Sequence, residues 1–62
     1  MTKAERESLV SSIEYLADKI ASEQGADRVD SILTSYGISE IEEISDCDLW
    51  SVFGDLQQID AD

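Results

Sequence analysis

An all-α fold, a compact bundle of three main helices, is predicted by three features of the sequence. Apolar residues recur at helical spacing in three separate stretches, glycines and N-capping residues fall between the stretches, and proline is absent. Residues at i, i+3, i+4 and i+7 share one helix face, so each stretch would bury one side and leave the other in water. Alternating β-branched runs are too few for a sheet.

The first helix is predicted over residues 3–24. Thr2 and Glu5 have the spacing of a capping box, in which each side chain satisfies a backbone N–H of the other. Leu9, Ile13, Leu16, Ala17 and Ile20 form its core stripe, Val10 widens it, and Gly25 stops it. The second helix is predicted over 27–36. Val29, Ile32, Leu33 and Tyr36 line its apolar face, and Gly37 suits the left-handed residue that closes a helix. Ile38 would then pack back on Leu33 in a Schellman ending.

Residues 38–45 are predicted as a short helical turn or an extended connection pinned by Ile38, Ile41 and Ile44. Ser39 and Glu42 repeat the capping-box spacing. Ser45 or Asp46 would cap the last helix, predicted over 46–59, with Asp48 favourable in its first turn. Its core face is Leu49, Val52, Phe53, Leu56 and Ile59. Gly54 in mid-helix costs about 1 kcal/mol against Ala and would permit close backbone approach.

Sixty-two residues make a single small domain, 1–62, whose stability is marginal because so short a chain buries only about 60% of its unfolded surface. One cysteine rules out an internal disulfide, and the absence of histidine removes the usual zinc sets. No apolar run approaches the ~20 residues of a membrane span. Met1 reads as a start, the segment after it lacks the apolar core of a signal peptide, and a cytoplasmic location is expected.

Charge is the most unusual property. Residues 1–28 carry six acids against Lys3, Arg6, Lys19 and Arg28, whereas residues 29–62 carry nine acids and no Lys, Arg or His, so the net charge of −11 divides into −2 and −9. Such a surface repels nucleic acid and anionic membrane and attracts basic proteins. An ordinary surface helix mixes signs, because like charges at i,i+4 cost about 0.2–0.5 kcal/mol. Mimicry of nucleic-acid phosphates, general solubility and salt adaptation all account for the imbalance, and the first explains best why no cation interrupts it.

The chain is not expected to be an enzyme and no cofactor is expected. Without histidine there is no His-based acid–base or triad chemistry, and Gly25, Gly37 and Gly54 are too isolated to form a phosphate loop. Asp46-Cys47-Asp48 opens like a calcium loop, but Trp50 takes the next ligand position and Ser51 the place of the required glycine. Glu40, Glu42, Glu43, Asp46 and Asp48 read as solvated acidic surface, not as a cation site. Gly25-Ala26-Asp27-Arg28 resembles the acyl carrier protein motif, but Arg28 stands where the serine bearing the prosthetic group would be. Cys47 reads as a small, half-buried residue of the last helix.

Three groups remain as partner-facing candidates. Asp48, Asp55 and Asp62 fall within about 40° of one another on the last helix and rise about 10.5 Å per step, forming a lengthwise stripe. Glu40, Glu42 and Glu43 cluster on the preceding connection. Tyr15 lies almost opposite the first helix's core stripe, with contact and idle exposure both open. Trp50 lies at the edge of the last apolar face, where it is expected to close the small core, an interface role being the alternative.

The run Ile32-Leu33-Thr34-Ser35-Tyr36-Gly37, followed by Ile41, Ile44, Asp48-Leu49-Trp50 and Phe53-Gly54-Asp55-Leu56, resembles the helical C-terminal module of phage single-strand annealing proteins. The resemblance covers residues 29–59 and implies docking onto partner proteins. It is also loosely similar to helix–extended-loop–helix modules, whose DNA-binding Lys and Arg are absent here. In size and charge the chain resembles phage anti-restriction and anti-CRISPR inhibitors. The expected function is a non-catalytic acidic domain, encoded by a phage or mobile element, that occupies a basic nucleic-acid-binding surface of a host protein. The alternative is a docking module of a recombination or replication system. A basic protein partner is expected, without direct nucleic-acid or membrane contact, and a homodimer is possible.

Overall fold

A computed structural model describes residues 1–61, so Asp62 lies outside the described residues. The chain forms an all-α bundle: α1 (Lys3–Gln24), α2 (Ala26–Ser35), a single 3-10 turn (Ile41–Glu43) and α3 (Asp46–Ala61). No strand occurs among the described residues, and no helix there is long and apolar enough to cross a membrane.

Local chemistry sets each boundary. The Thr2 hydroxyl accepts from the Glu5 N–H at 3.1 Å while the Thr2 N–H donates to the Glu5 carboxylate at 3.2 Å, completing the capping box. At the far end the Gly25 N–H donates to the Ala21 carbonyl at 3.2 Å, and its φ of 98° turns the chain directly into α2. That φ belongs to the region L side chains avoid, which is why one residue suffices as a joint. α2 begins and ends one residue earlier than predicted, because Tyr36 is already its C-cap. The Schellman ending forms as expected: Gly37 N–H donates to Thr34 at 2.9 Å and Ile38 N–H to Leu33 at 3.1 Å, with Gly37 at φ 75°.

The connection combines both predicted forms, one 3-10 turn and then extended backbone at Ile44. The Ser39–Glu42 capping box does not form. Glu40 precedes the turn without a side-chain cap, and Glu43, not Glu42, reaches back to the Ser39 N–H at 3.4 Å. A 3-10 turn closes its bonds one residue sooner than an α-turn. α3 runs two residues past the predicted 59, and the Gln24 side-chain amide from α1 donates to the Ile59 carbonyl at 3.1 Å. A late carbonyl of α3 is thus satisfied from another helix.

α1 and α3 run in the same direction. Arg6 meets Asp46 near their beginnings and Lys19 meets Asp60 near their ends. α2 runs back between them, and most tertiary contact is made by α1 with its two neighbours. At a rise of 1.5 Å per residue α1 is about 33 Å long, close to the 32 Å long dimension of the molecule. All five stripe residues of α1 are buried together with Val29, Leu33, Ile44, Leu49, Val52 and Leu56. Ile32, Tyr36, Ile38, Ile41, Phe53 and Ile59 pack half-buried around them. Gly54 meets nothing within 4 Å of where a Cβ would stand, so the close approach expected there does not exist.

Candidate functional site

Two surfaces on different sides of the bundle hold the candidate residues. The first is a groove between α1 and α3. Trp50 is 64% exposed and Tyr15 74% exposed. Trp50 therefore does not close the core. Its position on α3 lies about 120–130° from the centre of the buried face, and Phe53 occupies the inner position instead. The two rings meet edge to face, centroids 6.1 Å apart. Two adjoining depressions of about 600 and 460 Å³ share Ser12 and Phe53, one reaching Tyr15 and Asp60 and the other Trp50 and Glu5. Small serines on α1, at 8, 11 and 12, keep this groove open.

The second surface is acidic and lies on the other flank of α1, against the 3-10 connection. Glu14, Asp18, Glu40 and Glu42 line one depression with Leu33, Ser39 and Ile41, and no Lys or Arg lines it. Partial desolvation, then the neighbouring Glu42 carboxylate and a hydrogen bond with it, and finally Asp18, push the Glu14 carboxyl above its ordinary value. The facing Glu14 and Glu42 carboxylates account for the second and third causes, and Asp18, one turn along α1, for the last. Glu14 and Asp18 were missed as site residues. The like-charge i,i+4 spacing on α1 is the signal that marks them.

In the predicted Asp48–Asp55–Asp62 stripe, Asp55 is exposed, and Asp48 and Asp55 each serve a hydrogen bond within the fold. Asp48 is half-buried and accepts from the Ser45 hydroxyl at 3.0 Å, and Asp55 accepts from the Tyr36 hydroxyl at 3.0 Å. Both lie on the α2 side of α3, away from Trp50, and Asp62 is outside the described residues. Glu43 is exposed, with its carboxylate turned to the Ser39 N–H. The structure thus brings Tyr15 together with the Trp50 groove, and Glu40 with Glu42, but separates these pairs from Asp48 and Asp55.

Cation accounting sharpens the acidic surface. Lys3 pairs with Glu7 at 4.0 Å, Arg6 with Asp46 at 2.7 Å and Lys19 with Asp60 at 3.2 Å. Three of the four cations are therefore spent within the fold, and the remaining acids among the described residues have no cationic partner. No group of three or more potential metal ligands occurs among the described residues. Cys47 is exposed, not half-buried, because it points away from the core in the first turn of α3. No protein-family profile, curated protein or solved structure matches this chain.

Proposed function

We propose that this chain is a non-catalytic acidic binding domain that occupies a basic, nucleic-acid-binding surface of another protein. It would act in the cytoplasm as an inhibitor of the anti-restriction or anti-CRISPR type, made by a phage or mobile element. The observation that carries the reading is the depression of Glu14, Asp18, Glu40 and Glu42, lined by no Lys or Arg, where desolvation and then the neighbouring Glu42 and Asp18 carboxylates raise the Glu14 pKa. A small domain has little stability to spare for self-repulsion. A partner that gathers Lys and Arg in a groove would relieve it. Inhibition would follow from occlusion, since acids seated on those cations displace the phosphates that normally bind there.

Glu40→Lys combined with Glu42→Lys tests the proposal better than reversal at Asp48 or Asp55, whose carboxylates serve hydrogen bonds within the fold. The wild-type chain should compete with DNA or RNA for its partner, more weakly as salt rises, and the double variant should not compete. Undiminished competition by the variant overturns the reading.

The exposed Tyr15 and Trp50 on the α1–α3 groove favour a second reading, a docking module of a phage recombination or replication system. In that case binding would depend on Trp50 more than on salt.

A further inference from the structure

We propose that the α1–α3 groove receives a three-turn amphipathic helix from the basic partner, apolar side inward and with a Lys or Arg at the end beside Glu5 and Trp50. This rests on the reading that the partner is basic and adds a contact that the acidic depression does not supply. The groove is lined on α1 from Ala4 to Leu16 and on α3 from Trp50 to Ala61. Eleven residues of rise on α3 span about 16 Å, the length of three helical turns.

Its composition selects the occupant. Phe53 lies at the middle, shared by both depressions, with Tyr15 and Trp50 rising beside it. Aromatic side chains of this kind anchor interfaces, and the serines between them let a helix backbone come close. The charged side chains of the lining are both acids: Asp60 at one end is already paired with Lys19, and Glu5 at the Trp50 end, which also accepts the Thr2 N–H, is the acid of the lining with no cationic partner among the described residues. A second copy of this chain would bring another −11 of charge to an acid-ended groove. A helix with apolar residues at i, i+4 and i+7 and a cation at its Glu5 end matches both the floor and the unpaired acid of the rim.

The test titrates the chain with a synthetic fourteen-residue Leu/Lys peptide of amphipathic helical period. Two controls accompany it: the same composition scrambled, and a Ser-for-Leu version of equal charge. Trp50 is the single tryptophan, so its emission reports the groove directly. The amphipathic peptide should shift Trp50 emission to the blue and move amide resonances of Ser12, Tyr15, Phe53 and Gln57. Trp50→Ala should weaken it at least about tenfold. Ser12→Lys, which places a cation in the groove, should weaken it while leaving the helical circular dichroism intact. Equal binding of all three peptides overturns the groove and leaves the acidic surface standing. Resonance shifts confined to Glu14 and Glu42 overturn it too, as does a dimer in sedimentation that buries Trp50. Groove binding that persists unchanged in the Glu40→Lys, Glu42→Lys variant, together with undiminished competition by that variant, overturns the acidic reading instead.

Discussion

The Tyr36 hydroxyl donates to the Asp55 carboxylate at 3.0 Å, joining the C-cap of α2 to the middle of α3. Desolvation first, then this hydrogen bond and the charge of Asp55, raise the Tyr36 pKa above its ordinary 10.0, with Ser51 opposing. A tyrosine with a raised folded pKa contributes stability that is full below pH 10 and lost as pH rises through the folded value. Tyr36→Phe should cost about 0.5–1 kcal/mol at neutral pH in urea unfolding, the low end for a hydrogen bond because the pair is exposed to water. The variant should also lose the part of the alkaline instability that belongs to Tyr36. Lys19, raised mainly by its hydrogen bond to Asp60, should leave the rest of that instability in place.

Arg6 performs a similar joining task at the other end of the bundle. One guanidinium nitrogen contacts the Asp46 carboxylate at 2.7 Å and another the Glu42 carbonyl at 3.0 Å, so α1 holds both the 3-10 turn and the start of α3. The Arg6 side chain is 29% exposed, which leaves the pair only partly screened. Arg6→Met should cost about 1 kcal/mol. In a double-mutant cycle with Asp46→Asn, the coupling should fall with added salt. The carbonyl contact should survive in the Asp46→Asn single variant. A coupling that is zero at low salt would show that the ion pair contributes nothing.

The glycines divide by conformation, which makes opposite predictions for the same substitution. Gly37 sits at φ 75°, so Gly37→Ala should destabilise by about 1–2 kcal/mol although nothing crowds the site. Gly54 has helical neighbours and open space around it, so Gly54→Ala should stabilise by up to about 1 kcal/mol. Thermal unfolding of both variants beside wild type checks the pair of signs.

Periodicity and capping carry the helices of this chain because they are local. Thr2 with Glu5, and Leu33 with Gly37 and Ile38, form the bonds their spacing implies. All five stripe residues of α1 are buried. Contacts distant in sequence were not legible. Gln24 on Ile59, Tyr36 on Asp55 and Glu14 beside Glu42 depend on how α1, α2 and α3 lie against one another. Trp50 shows the limit of a helical wheel. An edge position is buried or exposed according to which neighbour covers it, and here Phe53 takes the inner place. The wheel likewise does not show that Tyr36 reaches Asp55 across the α2–α3 seam.

Glu14 ties stability to binding. Its raised folded pKa means its contribution is present at low pH and is lost as pH rises through that value, so the ionised form works against the fold. Glu14→Gln should therefore raise the melting temperature at pH 7, have little effect once the pH is low enough to protonate Glu14, and lose in high salt only the part of its benefit that comes from the charges of Glu42 and Asp18. A basic partner seated on Glu14 and Glu42 reverses the local field and lowers the same pKa. Binding at an acidic pH where Glu14 is partly protonated should then release a proton, measured as a dependence of the calorimetric enthalpy on the ionisation enthalpy of the buffer. The Glu14→Gln variant should bind with less proton release. Identical release from both chains would show that the partner sits elsewhere.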